Sequence, residues 1–173
     1  MKSSSLIVFA SALLLAAGGT FAQGPNDAQV AHIVVTANQV DIDAGKLAET
    51  NGQSSDVRAF GKQMVTDHGG VNKEAEALVT KLKVAPEDNP TSQSLKSGGE
   101  ENVKKLSALK GAAFDKAYID HEVAYHQAVL DAVDKTLIPN AKNEELKALI
   151  VKVRPAFVAH LEHAKMIQSK LGA

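Results

Sequence analysis

Residues 143–171 read NEELKALIVKVRPAFVAHLEHAKMIQSKL, and their periodicity is the strongest structural signal in the chain. The apolar positions recur in alternating steps of four and three, which is the spacing of one face of an α-helix. One polar residue, His160, interrupts this apolar stripe. The stripe consists of Leu146, Ile150, Val153, Phe157, His160, Ala164, Ile167 and Leu171. The pattern therefore predicts an amphipathic helix that turns an imidazole toward the protein interior.

Three further segments show the same helical period. They cover about residues 27–50, 54–83 and 112–137. A shorter and less regular helix is predicted over about residues 92–109, after a loop at residues 85–94 that contains two prolines. No alternating run rich in β-branched residues indicates a strand. The sequence therefore predicts an all-α fold.

The breaks between these segments predict how the helices are connected. Asn51-Gly52 separates the first pair and Pro139-Asn140 separates the last pair, so each pair is expected to form a tight hairpin. The long connection between the hairpins holds the short extra helix. Two hairpins joined by one crossover form a ferritin-like four-helix bundle. We therefore expect a ferritin-like four-helix bundle with a long crossover that contains a short extra helix.

Pro155 lies inside the last predicted helix. It has no amide hydrogen to donate to the carbonyl of Val151, so it is expected to kink the helix about one turn before His160. The alternative is that this segment forms two consecutive helices.

The first 22 residues have the pattern of a secretory signal peptide. Lys2 provides a positive charge, residues 6–17 are apolar, and Thr20-Phe21-Ala22 has small residues at the positions that precede a cleavage site. The apolar run is too short for a membrane span, which needs about 20 residues. We expect residues 23–173 to form one domain in the periplasm, without a membrane span.

Composition excludes several classes of function. The formal net charge is −1, aromatic residues make up 4% of the chain, and cysteine and tryptophan are absent. A near-neutral chain with interspersed charges offers no basic surface for nucleic acid. Without cysteine, disulfides, thiolate ligands and thiol chemistry are excluded. Any metal ion must be held by nitrogen and oxygen atoms.

Two other histidines, His68 and His126, occupy apolar stripes in the same way as His160. Such a residue needs a hydrogen-bond partner or a metal ion, because burial of an unpaired polar group costs about 1–3 kcal/mol. At about 1.5 Å per residue, Asp41 and His68 differ in height by roughly 6 Å within their hairpin. His126 and His160 differ by roughly 9 Å, and Glu122 matches the height of His160 better.

This reasoning predicts a buried site with imidazole and carboxylate ligands. The candidate metal ligands are His68, His126, His160, Asp41 and Glu122, with Asp67 and His163 at the margin. Such a mixed set suits iron, zinc, copper or manganese. A divalent transition metal is therefore the candidate cofactor, and a metal ion and a second copy of the chain are the candidate partners.

The residue types leave three functions open. A ferritin-like di-iron oxidoreductase needs Glu-x-x-His on two helices, whereas Val65, Val123 and Phe157 stand three residues before the histidines. A ferritin-like oxidoreductase is therefore the second alternative and the least favoured of the three. A mononuclear or weakly bound metal is compatible with the pattern. The remaining alternative is a structural or partner-binding envelope protein in which the histidines form a hydrogen-bond network.

Four segments resemble the motifs of one protein family. They are residues 37–48 (ANQVDIDAGKLA), 57–68 (VRAFGKQMVTDH), 114–126 (FDKAYIDHEVAYH) and 155–164 (PAFVAHLEHA). In this order they are similar to the secreted bacterial family of domain of unknown function 4142, whose members are ferritin-like and often labelled outer membrane proteins. The resemblance covers nearly all of the chain after the predicted signal peptide. It implies a helical bundle in the cell envelope and no particular activity.

The resemblance also marks individual residues. The Asp-His pair of the family falls on Asp67-His68, and its last two histidines fall on His126 and His160. These are the histidines that the helical period selects. The acidic position of the family falls on Asp41, where glutamate is more usual. We therefore expect a periplasmic bundle that binds a metal ion or has a stress-related role through this cluster.

We predict that the mature protein begins near Gln23 and is found soluble in the periplasm, because a short apolar run precedes a small-residue cleavage site. N-terminal sequencing of the protein from a periplasmic fraction checks this. Recovery of protein in the inner membrane with Met1 retained would contradict it.

Overall fold

The computed structural model describes residues 24–172, and the regular elements in this range are helical. Residues 24–172 contain no strand, which confirms the expected all-α helical bundle. The predicted signal peptide lies outside the described residues. The elements are α1 (Asp27–Asn51), α2 (Ser55–Leu82), α3 (Pro90–Ser107), α4 (Gly111–Ala132), a π-helical segment (Val133–Leu137), α5 (Ile138–Asn140) and α6 (Glu144–Leu171).

Polar side chains satisfy the first backbone amides of the long helices. Asn26 caps α1: its side chain accepts a hydrogen bond from the Gln29 amide at 2.9 Å, and the Gln29 side chain accepts one from the Asn26 amide at 3.2 Å. This reciprocal pair is a capping box. Ser54 caps α2, and Asn143 caps α6. Because these caps use local side chains, the sequence predicts the starts of all three helices closely.

The crossover helix α3 begins earlier than the sequence analysis expects. The predicted loop extends over residues 85–94, whereas α3 begins at Pro90 and has Asn89 as its N-cap. Proline needs no amide partner and its fixed φ angle suits the first helical turn, so Pro90 starts the helix. In the middle of α3, a Cβ on Gly99 would approach Val40 Cγ2 to 2.7 Å. The glycine therefore lets α3 pack closely against α1.

Helix α6 continues through Pro155 as one helix, so the alternative of two consecutive helices is wrong. Pro155 is exposed, and Val151, whose carbonyl loses its helical partner, is 50% exposed. A backbone carbonyl on the solvent side of a helix can bond to water instead. The proline therefore leaves the core-facing stripe of α6 uninterrupted.

The four long helices α1, α2, α4 and α6 enclose the core, and α3 covers α1. Helices α1 and α2 form one hairpin, α4 and α6 form the other, and contacts of α2 with α6 and of α1 with α4 join them. The α1–α2 hairpin is especially close. A Cβ on Gly61 would lie 2.7 Å from the carbonyl oxygen of Gly45. Glycine at these positions lets the two backbones approach.

A polar layer separates two apolar layers in the core. The apolar layer near the α1–α2 turn includes Phe60, Met64, Phe114, Tyr118 and Ile167. The apolar layer toward the other end includes Val30, Ile33, Val133, Leu146 and Ile150. The residues between them include Asp41, His68, Glu122, His126 and His160, all buried. The bundle thus surrounds its most polar layer with helices on the sides and apolar groups above and below.

We predict that Leu130→Ala and Ile150→Ala each destabilise the protein by about 2–5 kcal/mol, because both side chains are buried and their truncation leaves a cavity. Val151→Ala is the control, since Val151 neighbours Ile150 but is 50% exposed. Urea denaturation measures the three free energies of unfolding. Losses below about 0.5 kcal/mol for the two buried positions would show that the helical phase is wrong.

Candidate metal centre

Four helices bring all five predicted ligands into the polar layer. Asp41 comes from α1, His68 from α2, Glu122 and His126 from α4, and His160 from α6. None of these residues is more than 2% exposed. Their ligand atoms form two groups that share His126, one with the other two histidines and one with the two carboxylates. Within each group, the ligand atoms lie within 4.8 Å of one another.

The three imidazoles form a nearly equilateral triangle. The ring centroids of His68 and His126 are 5.6 Å apart, those of His68 and His160 are 5.2 Å apart, and those of His126 and His160 are 5.5 Å apart. Phe157 stacks on His68 at 5.2 Å and closes one side of the triangle. The three histidines therefore face one common space. They do not form a row of separate pairs.

The rings of His126 and His160, with centroids 5.5 Å apart, lie closer together than the predicted height difference of roughly 9 Å suggests. Helical structure after His126 continues through the π-helical segment and α5 to Asn140, three residues beyond the predicted end at Leu137. Counted from Asn140, the two histidines differ in height by only about 4.5 Å. Side chains tilt toward the N-terminus of their own helix, which in an antiparallel pair brings these two rings together.

Asn38 determines the tautomer of His68. The Asn38 amide group donates to the Val34 carbonyl oxygen at 2.9 Å, so its Oδ1 faces the His68 ring. That oxygen can only accept, and it lies 2.7 Å from His68 Nδ1. The proton of the neutral ring is therefore on Nδ1, and Nε2 presents a lone pair to the cluster.

The other two imidazoles are oriented in the same manner. His126 Nδ1 donates to the Glu122 carbonyl oxygen at 3.1 Å, which leaves Nε2 as the free nitrogen. His160 Nε2 donates to Asp67 Oδ2 at 2.9 Å, which leaves Nδ1 free. Metal-binding histidines are usually held in this way through their second ring nitrogen. Each of the three rings thus turns an unprotonated nitrogen toward the same space.

The ligand residues carry six buried polar atoms that have no hydrogen-bond partner among residues 24–172. These atoms are Asp41 Oδ1, His68 Nε2, Glu122 Oε1 and Oε2, His126 Nε2 and His160 Nδ1. Folded proteins contain few such atoms, since each costs about 1–3 kcal/mol. The three nitrogens offer lone pairs in their neutral tautomers, and the carboxyl oxygens do so once ionised. While one of the carboxyl groups is protonated, Asp41 and Glu122 can share a hydrogen bond. A bound metal ion is a partner that suits every one of them.

The imidazoles lie close enough together for one ion. Zinc binds imidazole nitrogen at about 2.0–2.1 Å, which puts tetrahedral ligands about 3.4 Å apart. One ring nitrogen from each of the three histidines lies within 4.8 Å of the others. Small side-chain rotations can supply the movement that binding requires.

Burial raises the pKa of both carboxyl groups in the cluster. It raises the pKa of Glu122 to about 8, from an ordinary value of 4.5. Burial, and then the charge of Glu122, also raise the pKa of Asp41 well above its usual range. Glu122 Oε2 lies 3.4 Å from His126 Nδ1, and Asp41 Oδ2 lies 3.5 Å from His68 Nε2. A cation in this space would favour the ionised carboxylates.

Burial has the opposite effect on the histidines. It lowers the pKa of His68 well below the usual range, with further lowering by His126 and His160. It also lowers the pKa of His160, although the hydrogen bond to Asp67 opposes this shift. The neutral imidazole is the form that binds metal ions. The site therefore holds these two rings ready for coordination near neutral pH.

Two predicted marginal residues lie outside the group of ligand atoms. Asp67 contacts the site only through the outer nitrogen of His160. His163 faces Gln63, with His163 Nδ1 3.2 Å from Gln63 Oε1, and packs edge-on against Phe60. His163 therefore belongs to the neighbouring apolar layer and not to the cluster.

Sequence reasoning missed Asn38, which orients His68. A buried asparagine one turn before Asp41 is a detectable signal, because an amide on a core-facing position needs partners. The buried hydroxyl of Tyr118 has no partner among the described residues, and burial together with Glu122 and Asp41 raises its pKa. This hydroxyl lies at the edge of the site.

A family profile described as "Domain of unknown function (DUF4142)" matches residues 14–167. This range contains all five residues of the cluster and most of the chain. The protein belongs to the DUF4142 family. The match confirms the family that the four sequence motifs indicate, and that family has no assigned function.

Further comparisons add no function to the DUF4142 assignment. No curated protein and no solved structure matches the chain. Within residues 24–172, no helix combines the length and the apolar character needed to cross a membrane.

We predict that Glu122→Gln stabilises the metal-free protein progressively as the pH rises from 4.5 to 8. The folded state keeps the Glu122 proton up to about pH 8, whereas the unfolded chain loses it near 4.5. Wild-type stability then falls with rising pH by up to about 1.4 kcal/mol per pH unit, and glutamine does not titrate. Urea denaturation with a chelator over this pH range measures the difference.

The control variant for this experiment is Glu76→Gln, which changes an exposed glutamate on α2. Its stability relative to wild type should show little dependence on pH. A Glu122→Gln difference that is equally independent of pH would show that Glu122 is not a buried titrating group.

Proposed function

We propose that this protein is a periplasmic, ferritin-like helical bundle that binds a divalent transition metal ion in its core. The ligands are His68, His126 and His160, with Asp41 and Glu122 as the oxygen donors. The observation that carries the proposal is the set of three imidazoles whose unprotonated nitrogens face one buried space. Hydrogen bonds fix each ring through its other nitrogen, an arrangement typical of metal ligands.

The donor set indicates the class of metal. Three neutral nitrogens and two carboxylate groups suit iron, zinc, copper and manganese, whereas calcium and magnesium prefer oxygen ligands alone. Two carboxylates can also balance the charge of a divalent ion, which a buried site requires. We therefore propose a transition-metal site in which binding of the ion releases the protons of the two carboxyl groups.

The closed surroundings favour retention of a metal ion over turnover of a substrate. The five residues are at most 2% exposed, and apolar layers lie on both sides of them. Structural metal sites are typically closed, whereas catalytic sites keep one position open to a substrate. The sequence also lacks the paired Glu-x-x-His motifs of catalytic di-iron sites, which is consistent with a site that retains its metal ion.

The N-terminal sequence supports the cellular location in the proposal. Its charged start, short apolar run and small-residue cleavage site are typical of a secreted protein. In that compartment a metal-holding bundle could sequester an ion or take part in a stress response. The site itself supports metal binding more directly than either of these roles.

We predict that metal ions raise the melting temperature of the chelator-treated wild type and not of the His126→Ala/His160→Ala variant. At a hundredfold excess over the dissociation constant, binding adds about 2.7 kcal/mol, or about 5–10 °C for a protein of this size. Thermal melts with zinc, manganese, copper and ferrous iron, on protein without a histidine tag, measure the shift. The double variant should lose little more affinity than either single variant, since all three share one ion.

His163→Ala provides a control on the same helix. His163 lies three residues after His160 but faces Gln63 and Phe60, so its loss should lower the melting temperature without reducing the metal-induced shift. Equal shifts in wild type and double variant would contradict the proposal. The absence of any shift would favour the alternative in which the histidines form a structural hydrogen-bond network in an envelope protein.

A further inference from the structure

Side chains of α2 and α6 meet along one antiparallel line on the surface of the bundle, which we term the α2–α6 seam. Three contacts define its register: Gln63 Oε1 with His163 Nδ1 at 3.2 Å, Asp67 Oδ2 with His160 Nε2 at 2.9 Å, and Glu74 Oε2 with Lys152 Nζ at 2.7 Å. These residues are four and seven apart on α2 and three and eight apart on α6, as expected for a single helical face.

The seam has no large side chain at one level. Gly70 lies on the same face of α2 as Asp67 and Glu74, one turn from each, and the register places Ala156 opposite it. Gly70 and Ala156 are both exposed. A Cβ built on Gly70 would meet no atom within 4 Å. The surface beside Gly70 is therefore open at this level, and we term this opening the gap.

Packing does not account for Gly70. Glycine in the middle of a helix is less stable than alanine, and proteins usually retain it there where two backbones approach closely. Gly45 and Gly61 meet that description, because a Cβ on either would collide with the other helix. Gly70 does not, since the space beside it is open. The open surface beside Gly70, next to the level of the site, is the feature that remains.

This gap lies beside the proposed ligands. His68 is two residues before Gly70 on α2, and His160 is one turn after Ala156 on α6. Helix α1 packs tightly on α2, and apolar layers cover the site above and below. Asp67, at the edge of the gap, has a side chain that is 41% exposed and also contacts His160 directly. It is thus the carboxylate that connects solvent to the site.

We propose that metal ions reach the histidine cluster through the α2–α6 seam at Gly70 and Ala156, with Asp67 as the first carboxylate that an incoming cation meets. This inference rests on the metal site proposed above. The carboxylate of Asp67 attracts the cation to the gap, and the ion then passes inward to the free nitrogens of His160 and His68. Asp67 therefore acts on the rate of loading and is not a ligand of the bound ion.

Stopped-flow measurement of cobalt(II) uptake by chelator-treated protein tests this route. The visible absorption of the cobalt complex reports loading, and displacement by excess chelator reports release. Gly70→Leu is expected to slow uptake and release alike by about tenfold, because the ion must then wait for the helices to separate. The dissociation constant should stay within about twofold, since a blocked route changes both rates equally.

Gly98→Leu is the matched control. Gly98 is also a mid-helix glycine with open space at its Cβ, but it lies on α3, away from the seam. It should load at the wild-type rate. Ala156→Leu narrows the same gap from α6 and gives an independent second obstruction. Asp67→Asn can still accept the hydrogen bond from His160 while it loses the charge, so it should slow uptake by about tenfold.

The outcomes separate this inference from the proposed function. A wild type that binds cobalt, together with Gly70→Leu and Ala156→Leu variants that load at the wild-type rate, would overturn the seam route and leave the metal site standing. Slower loading in Gly98→Leu as well would also overturn it, because the effect would then be general. A wild type that binds no cobalt would overturn the metal site and the route together.

Discussion

The burial of five ionisable side chains in one layer of the core is the constraint on which the rest of this structure depends. Two carboxyl groups and three imidazoles lie between apolar layers, at most 2% exposed, and six of their polar atoms have no partner among residues 24–172. Such a layer is costly unless something compensates it. The hydrogen bonds around its edge supply part of that compensation, since they fix the outer nitrogens of all three rings. The groups that remain without a partner are inward-facing nitrogen lone pairs and carboxylate oxygens. These are the ligand atoms that a transition-metal cation requires.

This layer links the fold to the candidate metal site. Two helical hairpins contribute ligands from four directions, so a bound ion would link α1, α2, α4 and α6 across the middle of the bundle. Burial raises the pKa of both carboxyl groups and lowers the pKa of His68 and His160, so it favours the uncharged forms of these four groups when no metal ion is bound. This reduces the cost of the layer in the metal-free bundle. The gap at Gly70, with the exposed carboxylate of Asp67 beside it, fits a site that is built first and filled afterwards.

Helical periodicity predicts the parts of this structure that depend on local sequence. It assigns the all-α fold, the approximate starts of α1, α2 and α6, and the inward direction of His68, His126 and His160. Helical periodicity does not predict the features that depend on other parts of the structure. The predicted helix end at Leu137 was three residues short, because the π-helical segment and α5 extend the helical structure to Asn140, and such segments have no simple pattern in sequence. Pro90 starts α3 instead of preceding it, since proline suits both a loop and a first helical turn. Asn38 was missed because its role is defined by His68, thirty residues later in the chain.

Anomalous diffraction at the zinc absorption edge, from crystals of the chelator-treated protein soaked with zinc, tests the central claim most directly. The account predicts one strong peak inside the bundle, about 2.0–2.1 Å from His68 Nε2, His126 Nε2 and His160 Nδ1, with a carboxylate oxygen of Asp41 or Glu122 completing the set. It also predicts that the outer nitrogens of the three rings keep their bonds to Asn38, the Glu122 carbonyl and Asp67. Zinc found only at surface carboxylates, with the core layer unchanged, would contradict the account.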